Sequence, residues 1–323
     1  MTHTPGPPAP TGPPAPTGLR LVQEHGESLR IHHGTQELAR YVYRPWDAQR
    51  ESPRPYFHPV RTLGGDPVTT YRPHDHVWHK GIALSLPNVG TENFWGGSTY
   101  VRGHGYQQLS NDGAMHHREF THLRATPHLI SAAERLDWVT QGGETWFDEN
   151  RAFTVTVNGG AWILAFATRF TNVSGQEVVF GSPTTQGREN AGYGGLFWRG
   201  PRSFTGGTVY APGTVGADDL MGVRGPWLGF TGRHDEHGRD STIVFVDAPD
   251  NPGHPTKWFV RSEIYACACP APFFDTEVPV APGEAVALRY AVVIADGDPG
   301  LDGAEKLATA GSAALGTLEE VWS

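Results

Sequence analysis

An all-β fold, a large antiparallel sandwich closed by one short C-terminal helix, is what this sequence predicts, on three observations. Glycine (41) and proline (27) are abundant among the 323 residues, and the turns they mark recur roughly every 8–15 residues, the spacing of sandwiches and barrels. Between the turns lie short runs rich in β-branched and aromatic residues, with period-two alternation clearest in Phe153-Thr-Val-Thr-Val157. Helical periodicity is confined to one segment, residues 301–321. Alternating strands and helices would instead have indicated a parallel α/β sheet.

Taken in order, residues 1–18 are mostly Pro, Gly, Thr and Ala with no Lys or Arg. They lack the positive start and apolar block of a secretory signal and read as a disordered, polyproline-II-prone tail. Residues 19–323 read as a single β-sandwich domain. Segments 19–23, 29–33 and 38–43 form an opening meander, and 56–63 and 68–71 flank the turn Gly64-Gly-Asp-Pro67. Residues 96–113 are glycine-rich and loop-like, a length that predicts a rim or lid over a pocket. Long strands follow at 117–129, 132–141, 144–158 and 161–172, the middle pair joined by a turn and the last by Asn158-Gly159. Residues 162–170 are apolar on both faces, as in a central strand. Further strands are expected at 243–247, 257–267, 271–280 and 285–295, and Asp302 suits the positive end of the final helix.

Composition excludes several classes. The formal charge is −9 with no basic run, so nucleic acid and anionic membrane surfaces are poor partners. No apolar run is long enough to cross a bilayer as a helix. The two cysteines, Cys267 and Cys269, share a strand face and read as small buried residues of a reduced, cytoplasmic protein. No dinucleotide fingerprint, phosphate-binding loop or nucleophile elbow occurs, so no cofactor is expected.

Chemistry concentrates in Tyr71-Arg-Pro-His-Asp-His-Val-Trp-His-Lys-Gly81, where His74, His76, His79 and Asp75 fall within six residues. Pro73 blocks a helix and biases Arg72 towards extended backbone. An extended segment puts His74 and His76 on one face and Asp75 on the other, with His79 rejoining through a turn near Trp78. A second glycine-rich loop, 186–195, carries Arg188 and Glu189, read as an ordinary surface ion pair, and feeds Leu196-Phe-Trp-Arg199. Buried there, Arg199 needs a carboxylate or a ligand. A third loop carries His254, followed by Trp258 and Arg261.

Imidazoles, a carboxylate, amides and indole faces suit a polyhydroxylated ring. Histidine titrates near neutrality, so His76 and His79 are the expected acid–base pair for ring opening, epimerisation, elimination or hydrolysis of a sugar or oxidised sugar derivative, with His74 or Asp75 orienting one of them and Arg199 stabilising charge on oxygen. Trp78, Trp95, Trp198 or Trp258 would supply a platform for the ring. His58, Asp75, Asn88, Trp95, Arg188, Glu189, Trp198, His254, Trp258 and Arg261 are the expected substrate contacts. The two main loops should meet in one pocket, with His254 and Arg261 near its rim. Two alternatives share the residues. In one, a divalent metal is held by His74, His76 and a third ligand among His79, His58, His104, His116 and His254; in the other, the protein binds a sugar without transforming it. Oligomeric state is not legible.

His58-Pro59, the run from Pro73 to Gly81, Asn93-Phe-Trp95, Gly194-Gly-Leu-Phe-Trp-Arg199 and His254-Pro-x-x-Trp-Phe-Val-Arg261 together resemble the bacterial PmoA-like family, whose members carry the label "methane oxygenase PmoA". The matched segments run from about residue 38 to 297. The membrane subunit that shares the label crosses a bilayer, which no helix-length apolar run here can do, so the label is not a guide to activity. Family members occur with sugar dehydrogenases and other carbohydrate-catabolic proteins, and the β pattern is more loosely similar to the galactose mutarotase-like supersandwich. Both resemblances imply a small-molecule carbohydrate as partner.

Overall fold

The computed structural model describes residues 17–321. Two large antiparallel sheets face one another. The first runs in the order Leu19–Glu24, Ser28–His33, Gln36–Val42, Tyr56–Val60, Ile82–Val89, Gly195–Arg199, Cys267–Ala271, Lys257–Arg261, with Glu92–Phe94, Val178–Gly181 and Val278–Val280 attached beside Ile82–Val89. The second runs Thr214–Gly216, Thr208–Ala211, Trp227–Arg233, Asp240–Asp247, Ala285–Asp296, Ala161–Asn172, Thr145–Asn158, Ile130–Val139, Ala114–Ala125. The predicted fold class is the observed one: an antiparallel β-sandwich with a single C-terminal α-helix.

Strand alternation divides every residue between two environments. Facing inward, Ile82, Leu84, Leu196, Trp198, Trp258, Val260 and Ala268 of the first sheet meet Phe153, Val155, Leu164, Phe166, Phe230, Phe245 and Val292 of the second, all buried in one continuous core. Outward from the first sheet, Phe197, Phe259, Cys267, Cys269 and Ala271 join Trp95 and Phe274 in a separate apolar cluster. That outer cluster is the floor of the site described below. The paired cysteines do share a buried face, both as free thiols.

The helix Gly300–Ala314, continued by a 3-10 turn at Leu315–Glu320, covers the outer face of the second sheet. Its buried residues are Ala304, Ala308, Gly311 and Ala314, set against Ile163, Ala165, Val244, Val246, Ala291 and Val293. Small residues on the helix let its backbone approach the sheet closely.

Several boundaries differ from the sequence reading. The proposed tail, 1–18, falls on residues 1–16 outside the described residues, but Gly18 already belongs to the fold, its carbonyl accepting from Gly34 N at 2.9 Å. Residues 68–71 form no strand: Tyr71 makes an isolated bridge with Lys80, and just before the segment Pro67 makes one with Arg61. The single strand expected over 257–267 is a hairpin, Lys257–Arg261 and Cys267–Ala271. The Asp218 carboxylate turns the chain between them by accepting the amides of Ser262 and Glu263. The strand expected over 271–280 is likewise broken at Pro272: Ala271 ends Cys267–Ala271, and strand resumes only at Val278–Val280.

Candidate functional site

The histidine stretch is a double turn rather than a strand. His76 N donates to Pro73 O, His79 N to His76 O, and Arg72 N to His79 O, at 2.9–3.0 Å. Arg72 takes φ +48 instead of the extended conformation expected before Pro73. Its guanidinium forks onto Glu51 at 2.7 and 2.8 Å, which offsets that backbone strain. The strand parity assumed for His74, Asp75 and His76 therefore does not apply. Gly81 then has φ +64, and a Cβ there would collide with the Phe57 carbonyl oxygen, so the loop re-enters the sheet through a position open only to glycine.

Beneath the turn lies a buried charge cluster that the sequence reading missed. Lys80, fully buried, is bonded to Glu51 and, at 2.8 Å, to Asp47, whose other partner is the Tyr71 hydroxyl at 2.7 Å. Arg54, also buried, donates to Ser85 Oγ, to the Glu51 and Ser52 carbonyls and to the Trp78 carbonyl at 2.7–2.9 Å. Burial pulls the Lys80 ammonium below its ordinary value despite the two carboxylates. Burial opposes ionisation of Glu51 too, but hydrogen bonds from Arg72 and Lys80 outweigh it and hold the carboxyl below its usual range. These groups fasten the turn to the sheet.

Register brings Arg199 to the histidines. The strand Gly195–Arg199 pairs with Ile82–Val89, and at its end Arg199 N donates to Gly81 O (2.8 Å) while Arg199 O accepts from Thr70 N (2.9 Å). The Arg199 side chain, almost wholly buried, donates through Nη1 to His79 Nδ1 at 2.9 Å and through Nη2 to Asp75 Oδ2 at 3.0 Å, with its guanidinium 3.9 Å from the centre of the Tyr265 ring. Asp75 is the carboxylate partner that burial of Arg199 requires. Covered by Tyr265 and turned towards His79 and Asp75, Arg199 does not line the cavity in which it was expected to meet substrate oxygen.

The two central imidazoles are stacked, with ring centres 4.7 Å apart and planes within 10°. Their protonation is not equivalent. A guanidinium can only donate, so His79 Nδ1 must be the acceptor and the proton sits on Nε2. Burial, reinforced by the charges of His76, Arg199 and Arg54, holds His79 well below its ordinary pKa, so the ring is neutral at pH 7. His76 Nδ1 donates to Asp75 Oδ2 at 2.8 Å, leaving Nε2 as its free nitrogen. Burial opposes ionisation of Asp75, yet hydrogen bonds from His76 and Arg199 and the Arg199 charge hold it far below the usual carboxylate range. His74 is exposed and accepts from Arg202 Nη2 at 2.9 Å, the same nitrogen that reaches Asp75 Oδ1 at 2.6 Å. The three histidines do not converge as a ligand set, and among the described residues no group of three His, Cys, Asp or Glu side chains is arranged to hold a metal ion.

Both stacked histidines line a cavity of about 300 Å³. Its floor and walls are Trp95, Phe197, Tyr193, Phe259 and Tyr265, and Trp78, Tyr106, Arg188, Arg261 and Ile264 complete the lining. The segment 96–113, expected to be loop, instead holds a short hairpin, Thr99–Val101 with Gly105–Gln107, and lines one side through Gly96, Ser98 and Tyr106. Gly97 (φ +71) lies flat beneath Trp78, where a Cβ would stand 2.7 Å from the indole ring. Of the sequence-predicted residues, His76, His79, Trp95, Arg188 and Arg261 meet here, with Asp75 and Arg199 directly behind.

The others do not. Trp198 and Trp258 face the inter-sheet core, their indole N–H groups bonded to the Val68 and Gly225 carbonyls. They cannot share a cavity with Arg199 and Arg261 because positions one or three apart on a strand face opposite ways. His58 stacks on Tyr71 and bonds Thr69 Oγ1. Asn88 stands opposite Gly181, away from the cavity. Glu189 is exposed, and Arg188 bonds the Tyr106 hydroxyl rather than pairing with it. His254 pairs with the buried Asp247 at 2.8 Å and is not at the rim. A larger cavity of about 650 Å³, between residues 271–280 and 283–287, holds none of the predicted site residues. Tyr106, Tyr193, Phe197, Phe259 and Tyr265 were not singled out from sequence. Alternation alone, applied outward from Trp198 and Trp258, would have found Phe197 and Phe259.

The family model DUF6807, described as a family of unknown function, matches residues 28–309, and the chain belongs to that family. No curated protein matches the sequence. Among solved structures, the chain is similar to the GH36 α-galactosidase AgaA from Geobacillus stearothermophilus at 11% identity and TM-score 0.40, covering 83% of this chain and 41% of that one. It spans only about two fifths of such α-galactosidases. It is also similar to galactose 1-epimerase from Lactobacillus acidophilus at 7% identity and TM-score 0.40, covering 88% and 100% of the two chains. The Slr1438 protein from Synechocystis stands at 12% identity and TM-score 0.38, over 89% and 99%.

Proposed function

We propose that this DUF6807 protein is an enzyme that moves a proton on a single sugar or oxidised sugar, opening or epimerising it or eliminating from it. The observation that carries the reading is the stacked pair His76–His79 with unlike protonation, facing one aromatic cavity. His76, oriented by the Asp75 carboxylate, offers a free Nε2 that takes a proton from substrate carbon or hydroxyl and returns it. His79, held neutral with its proton on Nε2, donates a hydrogen bond to the oxygen that gains charge. Arg199 and Arg202 fix Asp75, and the Arg199 donor fixes the His79 tautomer; these are positioning roles. Trp95, Phe197 and Tyr265 offer flat apolar faces to the C–H side of a ring. Among the described residues no carboxylate lines the cavity, so the paired acids that glycoside hydrolysis ordinarily uses are missing. Hydrolysis therefore falls behind isomerisation and elimination. The carbohydrate itself is supported by the PmoA-like resemblance and by a cavity at the small end of ligand pockets.

The test is solvent proton exchange. Sugars and sugar acids are incubated with the protein in deuterated water, and ring-proton loss and anomer interconversion are followed by NMR. His76→Gln should lower the rate about 10²–10⁴-fold with little change in binding. Equal activity in that variant, or no exchange, isomer or elimination product across the panel, refutes the proposal.

A further inference from the structure

Every formally charged side chain lining the cavity is cationic. Arg188 and Arg261 stand in its wall, the two imidazoles beside them, and among the described residues no Asp or Glu lines it, although the chain as a whole carries −9. Both arginines are half-buried, and a guanidinium that has lost part of its hydration gains from an anion that offsets the loss. Arg261 is partly answered by Asp218, 3.3 Å away outside the cavity. Arg188 has no carboxylate within salt-bridge distance among the described residues. It donates to the Tyr106 hydroxyl, itself 2.9 Å from the Tyr193 hydroxyl, and its guanidinium lies 4.9 Å from the Tyr106 ring centre. This arrangement presents Arg188 without neutralising it. The two arginines are joined through one wall, because Tyr193 contacts Phe259 with ring centres 5.5 Å apart and Arg261 lies over Phe259 at 5.7 Å. A neutral sugar is commonly read through carboxylates that accept from its hydroxyls, and among the described residues this lining has none, its acceptors being hydroxyls and the free His76 Nε2.

We propose that the cavity selects a monosaccharide bearing an anionic group, carboxylate or phosphate, held by Arg188 with Arg261 beside it. The inference rests on the sugar reading above and adds the charge of the substrate. A low-dielectric cavity of one sign inside an acidic protein focuses the field on such a ligand and disfavours its neutral parent. A carboxylate fits the planar guanidinium fork in two-point fashion, and it also acidifies the adjacent C–H that His76 would deprotonate.

Calorimetric titration with D-glucose, D-glucuronate, D-gluconate and D-glucose 6-phosphate tests this. At least one anionic sugar should bind about 10-fold or more tighter than glucose, with affinity falling as salt rises. Arg188→Gln should remove most of that preference without lowering the melting temperature, and Arg188→Lys should restore part of it. Tighter binding of the sugar acids or of the phosphate identifies the group. Glucose binding as tightly as every anion, or a preference that survives Arg188→Gln and Arg261→Gln alike, overturns the charge inference and leaves the sugar reading standing. Failure of every sugar to bind overturns both. Anion binding without any turnover keeps this inference and removes the proton-transfer reading.

Discussion

Replacing Arg199 by methionine should change both the stability of the protein and the proton on His79, and neither effect needs a known substrate to be seen. The side chain keeps its stem but loses the donor to His79 Nδ1, the donor to Asp75 and the charge over Tyr265. Removing one member of a buried pair generally costs about 3–5 kcal/mol. Asp75 is about a quarter exposed and retains Arg202, so the loss here should be nearer 2–4 kcal/mol. For a chain of this size that is a fall of about 4–8 °C in melting temperature. In the wild type, ¹⁵N–¹H correlation spectra should show His79 protonated on Nε2 alone, with its titration midpoint well below the ordinary 6.5. In the variant the midpoint should rise, because a neighbouring cation has gone, yet stay below 6.5, because burial is the larger cause. Nδ1 should then also carry the proton in part of the population. A wild-type His79 that titrates at or above the ordinary midpoint, or that carries its proton on Nδ1, refutes the assignment on which the proposed mechanism stands.

Lys80→Met leaves Asp47 and Glu51 facing one another without their shared ammonium, and chemical denaturation should register a loss of about 3–5 kcal/mol; a loss below about 1 kcal/mol would mean the cluster does not anchor the turn. Burial pushes His58 down to about 4, so the stability it contributes is complete above pH 6.5 and is lost as pH falls towards 4, roughly 3 kcal/mol in all. His58→Gln should accordingly flatten the fall of melting temperature between pH 6.5 and 4.5 while lowering it at pH 8; an unchanged slope counts against a neutral buried ring. Trp198→Ala should destabilise by about 3–5 kcal/mol as a core cavity, whereas Trp78→Ala, at the cavity, should cost much less and weaken ligand binding instead. The reverse order of those two stabilities would contradict the division of the strand faces.

The sequence alone determined the fold class and the composition of the loops. Turn spacing and period-two alternation are local properties, fixed by Gly, Pro and β-branched residues, and they survive into the sandwich nearly strand for strand from 117 to 172. The clustering of His74, Asp75, His76 and His79 is equally local, so the cluster itself was legible; so was the need of Arg199 for a partner, since a buried guanidinium must have one. Alternation also contained a result that went unused: Trp198 and Arg199 cannot face the same way, nor Trp258 and Arg261, so those tryptophans belonged to the core from the start. Only tertiary structure could decide the rest. The turn at Arg72 depends on Glu51, 21 residues away, and the unlike protonation of His76 and His79 depends on Arg199, 120 residues from His79. Lys80 is buried because Asp47 and Glu51 arrive from another part of the chain. Hydrogen bonds and charges act over a few ångströms of space whatever their separation in sequence. Which nitrogen bears a proton, and which cation stays unpaired, is therefore settled only when the sheets bring those groups together.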